Sequence, residues 1–355
     1  MPDDSLHHYL RQQGAQFGGV AGEQVAQNYG DTNAEHSALI ESVALVDLSF
    51  RGCLAVLGDD RVKFINGQVT NEVAGLKSGQ GCYAALVNAK AKMQADLHVY
   101  RLDDELILDF EPGLLDAVTE RLESHVVADQ VELIDASPHF GLLSLQGPKT
   151  ADALASLGLA LPGEPFAHAK SPLDGLGEVY VMNNGRYGTA GCDLYISTGH
   201  LGEAAARLAK AVEGQGGRLA GWQASEIARV EAGIPRFGID MDNKTLPPEA
   251  GLETRAISYT KGCYIGQEII ARIRTYGRVN RTLAGYRLDA DLAPGTQLTD
   301  DSGKTVGTLT SVIDSPRFGP IALGLAKRGS EIPGQVLTAR EPVQGQATVA
   351  EIPFR

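Results

Sequence analysis

Residues Lys261–Glu268 read Lys-Gly-Cys-Tyr-Ile-Gly-Gln-Glu, and this stretch decides how the chain is interpreted. Isoleucine recurs every four residues in Ile265–Ile273, which predicts a helix with one buried face, beginning near Gly266. Gly277 marks the predicted end of that helix. Cys263 is therefore expected at or just before a helix N-terminus, where unpaired N–H groups and the helix dipole favour an anion.

Cys263 has two interpretations. Lys261, two residues away, favours a thiolate that reacts or ligates a metal. The alternative is a small hydrophobic residue packed under the start of the helix, and residue type alone favours this alternative because free cysteine is among the most buried side chains. The four cysteines are too few and too scattered for a disulfide framework or a Cys-x-x-Cys site, so no metal site is expected.

Length and composition indicate a soluble, globular protein with more than one domain. The 355 residues exceed one comfortable hydrophobic core, and 43% hydrophobic with 21% charged residues is ordinary for such proteins. The net charge of −13 argues against direct nucleic-acid binding. The sequence shows no bilayer-spanning apolar run and no secretory signal, so we expect a cytoplasmic protein without membrane association.

Strand and helix patterns alternate along most of the chain. Residues 93–102 and 106–110 predict a β-hairpin, whereas the Pro- and Gly-rich segment 161–177 predicts a surface connection. After Arg281, short alternating runs separated by Gly and Asp turns predict a small closed or nearly closed β domain.

The predicted strand Met93–Tyr100 carries polar residues on one face. Alternation places Gln94, Asp96, His98 and Tyr100 on that face, opposite three apolar residues. If the face lines a cleft, Asp96 could hold a protonated nitrogen of a ligand. The alternative, favoured by the pattern alone, is the solvated side of a hairpin.

A second group of polar residues surrounds the predicted helix. Between residues 261 and 281 five cations face one anion, Glu268; the cations are Lys261, Arg272, Arg274, Arg278 and Arg281. On an acidic protein this is a candidate anion-binding patch. The alternative is a basic helix end that complements the helix dipole, which accounts for Arg272 and Arg274 better than for the two later arginines.

The octapeptide at Lys261–Glu268 resembles the signature of the YgfZ family of folate-binding proteins. That family belongs to the superfamily of the glycine-cleavage aminomethyltransferase, or T-protein. Further stretches resemble motifs of that superfamily, and together they extend over roughly residues 40–355; they are Phe64–Val73, Gly79–Ala84, Ala95–Leu97, Leu145–Pro148, Arg229–Pro235 and Pro248–Leu252.

The resemblance implies an α+β fold of the T-protein type. Its two interleaved α+β lobes would surround a central folate site and be followed by a C-terminal β-barrel. The folate-binding region would span residues 1–278, with about 60–135 as the inserted lobe, and the barrel would span 279–355.

The resemblance also implies a cofactor, tetrahydrofolate or a derivative, and a set of site residues. Cys263 and Lys261 would be catalytic, the lysine lowering the pKa of the thiol. Folate would contact Asp96 and a further set of residues, namely Asn71, Tyr83, Tyr264, Gln267, Glu268 and Arg272.

One departure separates the subfamilies. Transferases of the superfamily hold the pterin with a glutamate in a turn that Thr189–Asp193 resembles, and here Cys192 falls at that position, with Asp193 the adjacent carboxylate. A thiol cannot pair with the pterin as a carboxylate does. The resemblance thus implies a YgfZ-type protein that assists iron–sulfur cluster assembly or repair, with iron–sulfur proteins or their assembly machinery as partners, and so supports tRNA-modifying cluster enzymes.

Two other functions stay open. One is a tetrahydrofolate-dependent aminomethyltransferase of the glycine cleavage system, in which Asp96 orients the folate nitrogen. The other is a non-enzymatic folate sensor or scaffold in which Cys263 is structural. Whether the chain is an enzyme is left open by the sequence; if it is one, we expect a one-carbon transferase.

Overall fold

The structure is a computed structural model that describes residues 4–277 and 279–355. Local sequence accounts for the start of the helix Thr32–Glu41, because the Asp31 side chain accepts a hydrogen bond from the Ala34 amide at 3.0 Å and so caps it. The helices are α1 (Asp4–Gln12), α2 (Thr32–Glu41), α3 (Arg61–Gln68), α4 (Leu115–Glu123), α5 (Thr150–Ser156), α6 (Leu201–Gly214), α7 (Trp222–Glu231), α8 (Glu253–Ala256) and α9 (Gln267–Tyr276).

The strands are separated mostly by short turns. In chain order they are β1 (Gln16–Val20), β2 (Glu23–Asn28), β3 (Ala44–Asp47), β4 (Gly52–Leu57), β5 (Gln80–Val87), β6 (Met93–Arg101), β7 (Leu106–Phe110), β8 (Glu132–Asp135), β9 (Phe140–Gln146), β10 (His168–Leu173), β11 (Gly177–Asn183), β12 (Gly191–Ser197), β13 (Arg218–Leu219), β14 (Arg281–Leu288), β15 (Gln297–Thr299), β16 (Thr305–Ser315), β17 (Gly319–Lys327), β18 (Val336–Ala339) and β19 (Gly345–Ala350).

The strands form four sheets. A six-stranded sheet has the order β10-β11-β12-β9-β3-β13, and a five-stranded sheet has the order β5-β6-β7-β4-β8. A closed barrel has the order β14-β17-β16-β15-β18-β19, and β1 pairs with β2 in a two-stranded sheet. The mixed α+β class and the C-terminal β-barrel predicted from the sequence are therefore confirmed.

The chain divides into two compact units. The first consists of residues 1–68, 72–84 and 97–225, and the second of residues 69–71, 85–96 and 226–355. The chain thus passes between the units several times. The predicted domain division at residues 278 and 279, with an inserted lobe at about 60–135, stays a prediction.

Each unit has its own apolar core. In the first, the buried face of α6, including Leu201, Leu208 and Val212, packs with residues of β9 and β12. These residues recur at helical spacing, so the face follows directly from sequence. In the second unit, the barrel encloses a cluster that includes Tyr286 and Leu309.

Two local predictions need correction. Segment 161–177 is not only a surface connection, because it contains β10, which pairs antiparallel with β11 from His168↔Met182 to Leu173↔Gly177. Helix α9 has the predicted extent, but its fully buried residue is Ile270, whereas Ile269 and Ile273 are half-buried. Ile270 packs with Ile257 and Tyr264. The buried face of the helix is therefore set by its packing partners and not by the four-residue isoleucine repeat.

Candidate functional site

The ammonium group of Lys261 is held inside the second unit. The residue is 7% exposed, and its Nζ donates hydrogen bonds to the backbone carbonyls of Val69 at 2.8 Å and Asn71 at 2.6 Å. Nζ also lies 4.9 Å from the centroid of the Tyr264 ring. Two carbonyl dipoles and an aromatic face thus compensate a charge that would be costly to bury alone. Lys261 therefore ties the loop before α9 to residues 69–71.

Thr70 reinforces this attachment. Its hydroxyl donates to the Ala256 carbonyl at 2.6 Å and accepts from the Ala85 amide at 2.9 Å, while its own carbonyl accepts from the Ser258 amide at 3.0 Å. The Asn71 side chain donates to the Arg255 carbonyl at 3.4 Å. The loop 257–266 is called the thiol loop here. The segment Val69–Asn71 is bonded to the residues just before this loop and to Ser258 and Lys261 within it.

The thiol loop presents Cys263 to solvent. The other three cysteines are buried, and burial raises the pKa of the Cys53 and Cys192 thiols. The interpretation of Cys263 as a hydrophobic residue packed under a helix is therefore wrong. The residue precedes Gly266, the N-cap of α9, by three positions.

Gly266 sets the turn from the thiol loop into α9. Its φ is +82°, in the left-handed region, and a Cβ here would lie 2.7 Å from the Asn88 carbonyl oxygen. Asn88 belongs to the turn between β5 and β6, where its Oδ1 accepts from the Lys90 and Lys92 amides at 2.9 and 3.1 Å. Backbone contact at this point leaves no room for a side chain, so the glycine is required.

Tyr264, Gln267 and Glu268 surround this turn. Burial raises the pKa of Tyr264 to about 12, so its phenol stays a neutral hydrogen-bond donor near pH 7. The Gln267 amide donates to the Tyr264 carbonyl at 3.2 Å, and its side chain is half-buried. Glu268 is exposed and forms an ion pair with Arg272 at 2.6 Å. The structure thus brings together Lys261, Asn71 and Tyr264, while Glu268 and Arg272 are engaged with each other.

The candidate anion patch is largely compensated. Besides the pair at Glu268, the Arg274 guanidinium lies 3.9 Å from the centroid of the Tyr259 ring, and Arg281 Nε lies 3.3 Å from the Glu249 carboxylate. Arg278 lies outside the described residues. The other four cations of the group therefore have partners within the chain, which argues against an open anion site.

The polar face of β6 is not the solvated side of a hairpin. Alternation is as predicted, with Ala95, Leu97 and Val99 fully buried. On the other face Asp96 and His98 are half-buried and Tyr100 is fully buried. The solvated alternative is therefore wrong, and Asp96 is a partly desolvated carboxylate in the second unit.

In the first unit, Tyr83 and His98 pack against each other with ring centroids 5.2 Å apart. Tyr83 is 5% exposed. His98 Nδ1 lies 2.9 Å from Asp109 Oδ2, yet burial lowers the pKa of the imidazole because the charged form is poorly solvated. Tyr83 thus stands against an imidazole that is neutral near pH 7.

His98 belongs to a buried group of charges that sequence reasoning missed. Arg186 Nη2 donates to Asp109 and to Asp193, each at 2.7 Å, and Arg51 Nε donates to Asp109 at 2.7 Å. We call Arg51, Asp109, Arg186 and Asp193 the ion cluster. Burial alone would raise the pKa of Asp109, but the two guanidiniums hold it well below its usual range. A signal was present: Asp109 interrupts the apolar strand Leu106–Phe110.

The ion cluster also includes the Asp193 carboxylate, which it holds in the interior. This carboxylate is fully buried and accepts from Arg186, from Ser144 Oγ at 2.7 Å and from Asn184 Nδ2 at 2.9 Å. It is therefore committed to the interior of the first unit and does not supply a pterin-pairing carboxylate. Its neighbour Cys192 lies in the apolar core.

The described residues contain neither a membrane-spanning helix nor a grouped set of metal ligands. Within residues 4–277 and 279–355, no helix is long and apolar enough to cross a bilayer. In the same part of the chain, no three His, Cys, Asp or Glu side chains are grouped to hold a metal ion.

Comparison with known proteins shows relatives along the whole chain. A chloroplastic protein of Arabidopsis thaliana, whose name calls it a transferase, is 30% identical over 352 residues, covering 98% of this chain and 79% of the relative. The aminomethyltransferase of Chloroherpeton thalassium is 29% identical over 367 residues, covering 98% of this chain and 97% of the relative.

Solved structures support the same relationship. Glycine cleavage system aminomethyltransferase T from Bartonella henselae matches with a TM-score of 0.88 and 25% identity, over 99% of this chain and 97% of that one. The expected T-protein fold is thus confirmed. These names favour the aminomethyltransferase alternative over the iron–sulfur interpretation, and they do not confirm the narrower YgfZ assignment. The model of the GCVT N-terminal domain matches residues 6–261, more than half of the chain, and the protein belongs to that family.

Proposed function

We propose that this protein binds tetrahydrofolate and transfers a one-carbon unit, as an aminomethyltransferase does. The observation that carries the proposal is the half-buried carboxylate of Asp96 on β6, in a chain that aligns with aminomethyltransferases along almost its whole length. A partly desolvated carboxylate interacts more strongly with a ligand N–H or N–H⁺ group than an exposed one does.

The second unit contains an acceptor and a donor of the kind that would hold a folate. Asp96 supplies an acceptor, and Tyr264 supplies a phenol that stays protonated because burial raises its pKa. We propose that these residues hold tetrahydrofolate together with Asn71, Gln267, Glu268 and Arg272. The cofactor would supply the nitrogen that carries the one-carbon unit. A folate contact by Tyr83, the catalytic roles of Lys261 and Cys263 and a cytoplasmic location stay predictions.

Calorimetric titration with tetrahydrofolate tests this proposal. We expect saturable binding to the unaltered protein and binding at least tenfold weaker in Asp96→Asn, which keeps the shape of the side chain and removes its charge. Asp314→Asn is the matched control, because Asp314 is an exposed carboxylate in the same unit. An absence of saturable binding, or equal affinity in Asp96→Asn, would contradict the proposal.

Transfer itself requires a second assay. We expect the protein to release ammonia from an aminomethylated carrier protein only when tetrahydrofolate is present. Folate binding without any ammonia release would contradict the proposed transferase function but not the proposed folate site.

A second candidate function is YgfZ-type assistance in iron–sulfur cluster assembly or repair. The observation that favours it is the exposed thiol of Cys263, in a loop whose backbone is held by Lys261 and Thr70. Such a thiol is accessible to a cluster or a partner thiol as substrate.

Complementation separates the two candidates. In cells that lack the native protein, we expect the unaltered chain to restore activity of cluster enzymes that modify tRNA if the second candidate is correct, and Cys263→Ser to fail. Cys82→Ser, at a buried cysteine, is the control. Full restoration by Cys263→Ser would remove this candidate. Carrier-dependent ammonia release that persists in Cys263→Ser would support the first.

A further inference from the structure

A cavity of about 440 Å³ lies wholly within the first unit. Part of its wall is the turn after β3, which contains Ser49 and Phe50, and another part is the segment of chain around Phe140. Its volume is in the range of small-molecule sites, although none of the predicted site residues lines it. The cavity is therefore a separate candidate for ligand binding.

The cavity contains a buried carboxylate. Asp47, the last residue of β3, lines it and is 8% exposed. Its Oδ1 accepts from the Ser49 amide at 2.9 Å, and burial raises the pKa of the carboxyl. Among residues 4–277 and 279–355, no lysine, arginine or histidine forms an ion pair with Asp47. His7 also lines the cavity and favours the ionised form of Asp47 electrostatically, but burial has the larger effect on the carboxyl.

Most of the other charged groups of the lining are acidic. Glu23, Asp116 and Asp135 are exposed carboxylates at its edge. Arg51 lines the cavity too, but its guanidinium donates to Asp109 and Glu111, which compensate its charge. A concave site with this lining has a negative potential and attracts cations.

Apolar residues form much of the remaining wall, including Leu6, Phe50, Leu115 and Phe140. A hydrated metal ion would gain nothing from such a wall, and the carboxylates are not grouped as metal ligands within the described residues. We propose that this cavity binds a small organic cation, an ammonium group on an apolar body, with Asp47 as the counter-charge. The site goes beyond the folate-dependent function proposed above.

Titration with benzylammonium chloride, followed by calorimetry at constant ionic strength, tests the proposal. Benzyl alcohol, which has the same apolar body without the charge, is the ligand control. We expect saturable binding of benzylammonium, at least tenfold tighter than binding of benzyl alcohol. We also expect benzylammonium to bind at least tenfold more weakly to Asp47→Asn.

Two further variants separate binding from folding. Asp116→Lys reverses an exposed charge at the edge and should weaken benzylammonium binding about threefold or more, with circular dichroism unchanged. Asp152→Asn, at an exposed carboxylate of α5 outside the lining, should bind as the unaltered protein does. If Asp47→Asn does not fold, Asp116→Lys decides. Equal binding of both ligands, no saturable binding, or unchanged affinity in Asp116→Lys would overturn the proposal.

Discussion

The ion cluster of the first unit and the thiol loop of the second unit compensate charge in different ways. In the ion cluster, arginines face aspartates at 2.7 Å, so side-chain charges neutralise one another. In the thiol loop, the single ammonium of Lys261 is held by backbone carbonyls and an aromatic ring. The first arrangement holds side chains of separate strands together, whereas the second holds the course of the backbone.

This difference bears on where chemistry can occur. Every charged group of the ion cluster is committed to an internal partner, so the cluster stabilises the fold around Tyr83 and His98. In the thiol loop, the contacts use main-chain atoms and leave Cys263 exposed. The predicted role of Cys263 depends on this exposure.

Among the variants of these two regions, we expect Arg186→Met in the ion cluster to destabilise the protein most. Removing this guanidinium leaves Asp109 and Asp193 close together and buried with less compensation. We expect the free energy of unfolding to fall by about 3–5 kcal/mol, measured by urea denaturation.

Arg272→Met is the matched control for that variant. Its ion pair with Glu268 involves side chains that are 68% and 84% exposed, so we expect a loss below about 1 kcal/mol. Equal losses in the two variants would show that the ion cluster is not the stabilising feature that its contacts indicate.

The conformation of the thiol loop can be disrupted by a substitution that changes no charged residue. Gly266→Ala places a Cβ at a φ of +82° and 2.7 Å from the Asn88 carbonyl oxygen. We expect a loss of about 2 kcal/mol in the free energy of unfolding, together with altered reactivity of Cys263 towards a thiol reagent.

Gly262→Ala is the control in the same loop, because a Cβ there meets no atom within 4 Å. We expect its stability to change by less than about 1 kcal/mol, in either direction. If both alanine variants were as stable as the unaltered protein, the turn at Gly266 would not constrain the thiol loop.

The weakest effect that we expect is a pH dependence of stability due to His98, which contacts Asp109 of the ion cluster. Burial lowers the pKa of His98, and Asp109 offsets this only in part. Above about pH 6.5 His98 is neutral in both folded and unfolded states. As the pH decreases below that value, the unfolded state takes up a proton before the folded state does. The free energy of unfolding therefore decreases by up to about 1.4 kcal/mol for each pH unit.

Urea denaturation between pH 7 and pH 5.5 measures this slope. We expect His98→Gln to be less stable than the unaltered protein at pH 7, because it loses the contact with Asp109, but to show a shallower decline with falling pH. Parallel declines in the two proteins would assign the slope to other groups.

Sequence reasoning succeeded where the signal is a local period. The alternation in β6, the extent of α9 and the barrel after Arg281 are all properties of neighbouring residues. It failed at β10, where a Pro- and Gly-rich segment forms a strand because β11 offers a hydrogen-bonding partner. It also missed the ion cluster, because the partners of Asp109 lie far away in the sequence: Arg51 is 58 residues away and Arg186 is 77.

Sequence alone indicates the α+β class, the position of the helix after Cys263 and the family motifs. The helix and the alternating strands follow from side-chain periodicity, which acts over a few residues. Tertiary packing determines that Cys263 is exposed, that Lys261 faces inward and that Asp193 forms an ion pair with Arg186. Lys261 bonds to carbonyls 192 and 190 residues away, and burial of this kind depends on which distant segments pack together.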